Sequence, residues 1–352
     1  MRPMWYGSRR AVLRLAAASA AAALVLTGCG AASGGDSGEL VIAEPAHSLG
    51  YLPLYVGIDR GIFAKHGLNV RALTLQGGAA HTNAVLSRQA WGFIGGPEHN
   101  GFVQAQNPSQ SAAIKAVVNV VNRGNVYFTA AAGQPAPPMT DVRSVASYLR
   151  GKRVVTGAYG GTPNSILRYV LAEGGLQASD VKLIEAVDAA APMSIVAQGQ
   201  ADVAVVADPV LAQGVRQGVW QEPFFSPPNG LGPYAYSTVN VRMDTATGDG
   251  AETTRKFVQG MLEALAVVRD DRQAATEVAK KQFSNLPPEV VEATLERAYA
   301  DQLWEYSGDI TEPAVATALN VVRRAGVLKD GDKPVTYADV VDPEFVRAAA
   351  PK

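Results

Sequence analysis

The sequence predicts two α/β lobes, each a β-α-β-α-β sheet sandwiched by helices, with a hinge cleft between them. Three observations lead there. The chain has 352 residues, enough for about two domains that each bury a core. One β-α-β-α-β pattern occurs twice, and two β-rich segments join the copies. Charge is nearly balanced, with 31 Lys+Arg against 32 Asp+Glu, 47% hydrophobic residues and one cysteine. That composition excludes a disulfide scaffold, a disordered polyelectrolyte and a basic nucleic-acid binder.

The first copy opens with a strand at residues 40–43. A helical stretch over 54–66 follows, closed by Gly67, and then a strand over 70–75. The second copy has a strand at 153–156, a helix opening at Thr162-Pro163 and closing at Gly174-Gly175, and a strand at 181–184. Each copy continues with a helix and a short strand, at 83–94 and 195–206, and the pairs Gln89-Ala90 and Gln200-Ala201 fall at the same point. Each short strand then meets a proline beside an acid, Gly96-Pro97-Glu98 and Ala207-Asp208-Pro209. Such strand ends are where open α/β sheets gather ligand groups. The β-branched and aromatic segments 117–130 and 233–239 predict crossings between lobes. Pro-rich loops at 134–138 and 226–230 bracket the inserted part. The first lobe is therefore expected over 39–130 and 233–350 and the second over 131–232. From Ala251 onward the apolar periodicity of 257–268 and 290–300, broken at Pro287-Pro288, predicts helices that pack back on the first lobe.

Residues 1–28 predict an export signal. Arg9, Arg10 and Arg14 flank or interrupt an apolar stretch at 11–26 that is too short and alanine-rich for a permanent span. Leu26-Thr27-Gly28-Cys29 resembles the lipobox of bacterial lipoprotein precursors. That resemblance implies cleavage before Cys29, a diacylglycerol thioether on its sulfur and a further acyl chain, such as palmitate, on its amino group. Several acyl chains anchor a protein stably without spanning the bilayer. The expected location is the extracytoplasmic face of the cell membrane. Arg9-Arg10 also resembles a twin-arginine motif, and the export route stays open. Without residues 1–28 the chain carries 27 basic and 32 acidic side chains, which gives no reason to expect a polyanionic partner. Residues 29–38 predict a flexible tether of ~17 Å root-mean-square length.

The stretch Gly50-Tyr51-Leu52-Pro53-Leu54-Tyr55-Val56-Gly57-Ile58-Asp59-Arg60-Gly61-Ile62-Phe63-Ala64-Lys65-His66-Gly67-Leu68-Asn69-Val70 resembles the N-terminal signature of a family. Its members are solute-binding proteins of ABC importers for nitrate, sulfonates, taurine and thiamine pyrimidine precursors. The resemblance continues through Gly77-Gly78, residues 86–97, Gly161-Thr162-Pro163-Asn164-Ser165 and residues 199–209. It implies the type II periplasmic binding-protein fold, a monomer without cofactor, and a permease and ATPase on separate chains.

Within such a cleft, Gly77-Gly78 opens a helix whose unpaired N–H groups face a ligand, and Gly161-Thr162-Pro163 does the same from the other lobe. Thr162 is expected as N-cap and Pro163 as first helical residue, with Ser165 turned either to the ligand or to the backbone. His47, Ser48, His81, Gly96, Glu98 and His99 fall in or beside the first lobe's cleft loops. No two histidines share a ligand spacing, so no metal site is expected, and contact with ligand or metal stays open for His47, His81 and His99. His66, at a helix end, has a dipole to favour. Asp188 and Asp208 are candidates to accept from a ligand amine, or turn residues. Arg123 is the strong cation near a cleft strand, and Tyr51 and Tyr234 are candidate stacking walls. This set suits a neutral or amine-bearing solute, such as a pyrimidine-like ring, better than nitrate. No nucleotide-binding or familiar hydrolase motif occurs, so binding without catalysis is expected. The alternatives are an enzyme of the same fold related to thiamine-pyrimidine synthases and menaquinone-pathway lyases, a metal-binding variant, and a surface lipoprotein that has lost its solute.

Overall fold

The two copies fold into sheets of the same strand order. In a computed structural model, residues 38–76, 78–106, 114–329 and 334–349 are described. Cys29, the expected signal and Gly77 lie outside them. In the first sheet β1 (Glu39–Glu44) runs parallel between β2 (Asn69–Thr74) and β3 (Gly92–Gly95). Beyond β3 come β9 (Ser237–Arg242), antiparallel to it, and β4 (Ile114–Val121), antiparallel to β9. In the second sheet β6 (Arg153–Gly157) runs parallel between β7 (Lys182–Ala186) and β8 (Val203–Val206), and β5 (Tyr127–Ala130) lies antiparallel on β8. The orders β2-β1-β3-β9 and β7-β6-β8-β5 correspond strand for strand. Residues 127–130, expected in the first lobe, thus belong to the second sheet. Their reason is burial, since all four side chains are enclosed once β5 pairs with β8.

The helix expected over 54–66 is two helices, α1 (Leu52–Asp59) and α2 (Ile62–Lys65). Gly61 between them takes φ +67, a left-handed turn that suits glycine and ends the first helix. Then come α3 (Ala80–Leu86), α4 (Glu98–Gln106), α5 (Val142–Leu149) and α6 (Thr162–Glu173), followed by α7 (Ala191–Ala197), α8 (Val210–Arg216), α9 (Pro227–Gly230) and α10 (Met243–Ala246). Asp141 caps α5 by accepting from the backbone N–H groups of Arg143 and Ser144.

The C-terminal helices are α11 (Ala251–Asp270), α12 (Arg272–Gln282), α13 (Pro288–Ala300), α14 (Glu312–Arg324), α15 (Tyr337–Val340) and α16 (Glu344–Ala349). α11 buries Phe257, Met261, Ala264, Leu265 and Val268, an apolar stripe at helical spacing. Phe257 stacks on Phe63 of α2 at 5.0 Å, and each such buried ring stabilises the fold by roughly 1.5–3 kcal/mol. Contrary to expectation, these helices do not pack on the first sheet's helices alone. α13 also packs on α8 and α14 on α6, and Arg216 pairs with Glu289 and Arg324 with Glu173 across these contacts. No helix among the described residues is long and apolar enough to cross a membrane.

Candidate functional site

Parallel strands end on one side of their sheet, so the loops after β1, β3, β6, β7 and β8 converge. They enclose a cavity of about 200 Å³, with Asn125, Tyr236 and Ser237 of the two crossings at its floor. At the end of β1, the buried Glu44 carboxylate accepts from the Tyr55 hydroxyl (2.5 Å), the Thr74 hydroxyl (2.6 Å) and His47 Nδ1 (3.0 Å). That holds His47 stacked on Phe283 at 4.5 Å. Burial lowers the basicity of His47, but the bond and charge of Glu44 outweigh it, so its pKa is raised. The Ser48 hydroxyl accepts from Gly50 N and starts the short 3-10 turn Leu49–Tyr51 that sets Tyr51 in the wall.

Behind β3, Asn100 donates to Asn240 (2.7 Å), while Asn240 and Thr238 both donate to the Gly95 carbonyl (2.9 and 3.1 Å). This buried network fixes Gly95-Gly96 at the cavity wall. His81 and His99 stand beside them, ring centroids 4.7 Å apart and edge to face. Among the described atoms neither nitrogen of His81 has a hydrogen-bond partner, nor has His99 Nε2. His99 Nδ1 lies 3.2 Å from the Gly96 carbonyl. Burial pushes His99 down to about 4, and burial with the neighbouring His99 holds His81 well below the usual imidazole range. Both rings are neutral at pH 7. Glu98 is not in the wall but just behind it. Its Oε1 accepts from the Thr162 hydroxyl at 3.0 Å and Oε2 has no partner. Burial pushes its carboxyl up to about 7. A Cβ on Gly96 would fall 1.9 Å from that Oε2, so only glycine leaves room for it.

From the second sheet, Gly161 rather than Thr162 is the N-cap of α6, and the Thr162 hydroxyl donates to Glu98 of the first sheet's side instead of to its own helix. Ser165 turns to the backbone, donating to the Gly161 carbonyl at 3.2 Å. Asp208 reaches the wall, but both oxygens are engaged within the protein: Oδ1 accepts from Ala212 N (3.0 Å) and Oδ2 from Arg297 of α13 (3.1 Å). Burial pushes Asp208 up to about 6 despite Arg297. The exposed Asp188 at the cavity rim accepts from Ala190 N and shapes its own turn. Gly78 also lines the wall, whereas Arg123 does not: its guanidinium donates to the Asn122 carbonyl instead. Tyr234 is no wall either, being fully buried beneath Tyr236, which takes that place. Cys29 and Gly77 lie outside the described residues.

His66 at the end of α2 binds Glu263 at 2.8 Å, remote from the cavity wall. Reasoning from sequence missed Asn125, Tyr236, Ser237 and Arg297. The segment 233–239 was read as aromatic, with Tyr234 as the candidate wall, and Tyr236 two residues on is the one that lines the cavity. Among the described residues no group of three or more His, Cys, Asp or Glu is arranged to hold a metal ion. Among the described cavity-lining residues there is no Lys or Arg. The wall thus offers hydroxyls, an amide, neutral imidazoles and aromatic faces, a set for holding a small solute by hydrogen bonds and stacking.

Two matched α/β sheets with a cavity at their strand ends define the periplasmic binding-protein fold. Solved structures share it. The alkanesulfonate-binding protein SsuA from Xanthomonas axonopodis pv. citri, bound to MOPS, is similar with a TM-score of 0.68 at 19% identity, covering 87% of this chain and 98% of its own. The nitrate-binding protein NrtA from Synechocystis PCC 6803 gives 0.70 at 15% identity, covering 89% and 88%. The desulfurization enzyme DSZB is similar at 0.59 and 14% identity, covering 88% and 98%. YtlA of Bacillus subtilis (strain 168), described by name as a binding protein, is 25% identical over 313 residues, 87% of this chain and 88% of its own. The chain belongs to the NMT1/THI5-like family, whose model matches residues 49–275.

Proposed function

We propose that this protein is the solute-binding lipoprotein of an ABC importer. It captures a small organic solute, sulfonate-like or thiamine-pyrimidine-precursor-like, between two lobes that close about the crossings, and hands it to a permease powered by a separate ATPase. The observation that carries the reading is the cavity whose wall is contributed by both sheets and both crossings. Family membership and the names of SsuA, an alkanesulfonate-binding protein, and NrtA, a periplasmic nitrate-binding protein, support it. The Cys29 lipobox supports anchoring on the extracytoplasmic membrane face, which incorporation of labelled palmitate, lost in Cys29→Ser, would test. For the solute, a thermal-shift panel of sulfonates, nitrate, aminopyrimidines and divalent metals is the direct experiment. A ligand at 100 times its Kd adds ~2.7 kcal/mol, a rise of several degrees. Selective stabilisation by one organic class, with the compound recovered unchanged, is the expected result.

The second reading is an enzyme of the same fold. It is favoured by the buried Glu98 beside His99, 3.9 Å apart with pKa values displaced in opposite directions, and by the likeness to DSZB. Chemical conversion of a stabilising compound would establish it in place of the importer role.

A further inference from the structure

The first turn of α6, a helix of twelve residues, opens on the cavity, and a helix N-terminus attracts negative charge. The protein has already placed a carboxyl there. Glu98 Oε1 accepts from the Thr162 hydroxyl at that helix end, and its fully buried Oε2 lies against Gly96 with no hydrogen-bond partner. No cation compensates it from the wall. Its nearest basic neighbour, His99, is 3.9 Å away and the described lining residues include no Lys or Arg. Behind the wall, Arg297 is committed to Asp208 and Glu222. Once the carboxyl is ionised, a second anion entering this space would meet a buried like charge at low local dielectric, where repulsion is strong.

We infer that Glu98 is the specificity-determining residue of this cleft, excluding oxyanions such as sulfonates and nitrate and reserving the cavity for uncharged or protonated solutes that donate hydrogen bonds. The inference rests on the solute-binding reading and chooses within it. His81 is nine-tenths or more buried in the wall with both ring nitrogens unpartnered, and the nitrogen that carries no proton in its neutral ring is the acceptor that such donors would meet.

The test compares the full chain with Glu98→Gln, which keeps length and shape and removes the charge. Three probes are titrated by calorimetry and thermal shift at pH 8.5, where the Glu98 carboxyl is ionised, and at one ionic strength: ethanesulfonate, nitrate and 4-aminopyrimidine. Ethanesulfonate is expected to bind Glu98→Gln at least ~10-fold more tightly than the unaltered chain. Equal binding of ethanesulfonate or nitrate to both proteins would overturn the inference and leave the solute-binding reading standing. Failure of all three probes on both proteins would overturn the inference and count against that reading as well. Glu98→Met, also uncharged and of equal length, replaces Glu98→Gln if the latter melts without ligand far below the unaltered chain. Tight binding of either anion to the unaltered chain overturns the inference without any variant.

Discussion

The turn after β3 and the turn after β8 occupy equivalent places in two sheets of the same order, and each buries an acid. Asp208 is completed by the protein. Arg297 and Ala212 N fill its oxygens, and its turn carries Ala207 where the other carries Gly96. Glu98 is left incomplete, with one oxygen bonded to Thr162 and the other bare against Gly96. A buried polar group costs free energy unless it is paired. One turn has therefore become scaffold, holding α13 to the second sheet, while its counterpart keeps unsatisfied chemistry beside the cavity.

Three experiments would break or sharpen this contrast. The largest effect belongs to Arg297→Ala, which strands Asp208 as a buried unpaired charge. Urea unfolding should show a loss of about 3–4 kcal/mol, mostly recovered in the double variant with Asp208→Asn. A loss below about 1 kcal/mol would mean that Asp208 is not completed by Arg297.

Next comes the pH dependence of Glu98. Its pKa rises from 4.5 to about 7 on folding, so the folded chain binds more protons than the unfolded one between those values. Stability therefore falls as pH rises through that window and levels off above it. Relative to Glu98→Gln, the unaltered chain should lose about 3 kcal/mol between pH 4.5 and 8. Parallel urea midpoints for the two proteins across this range would contradict a buried, uncompensated carboxyl; the contribution of Asp208 is common to both and cancels.

The smallest effect is the exchange of the turn residues themselves. Gly96→Ala drives a Cβ into the Glu98 carboxyl and should cost about 1–3 kcal/mol. Ala207→Gly meets no such contact and should cost ~1 kcal/mol or less through backbone entropy. Equal melting temperatures for the two would dissolve the distinction.

Much of the fold was legible because it is written in local punctuation. Gln89-Ala90 and Gln200-Ala201, and the proline-acid pairs at 96–98 and 207–209, recur at the same points because equivalent strands begin just after the first pairs and end at the second. Contacts distant in sequence were not legible. Nothing near Asp208 announces Arg297, 89 residues away, and without it Asp208 reads as free for a ligand. Thr162 looks like a cap by its neighbours, yet its hydroxyl is claimed by Glu98 from the other sheet. Tyr234 and Tyr236 differ by one tight turn, in which Tyr236 N donates to the Tyr234 carbonyl at 2.6 Å, so strand alternation does not say which of them faces the cavity. Gly61 was read through as helix, because a lone glycine inside an apolar helical pattern does not say by itself that it will take the αL turn.

The position of β9 between β3 and β4 has a consequence for how the chain is made. As residues leave the ribosome in order, β1 to β4 are complete long before Ser237–Arg242 appears. Until then β3 and β4 have no strand between them, and each presents an unpaired edge of the sort that recruits other chains. The whole second sheet must be synthesised during that interval. Nascent chains stopped before residue 237 should therefore be far more prone to associate, and to occupy holding chaperones, than those that have passed residue 242.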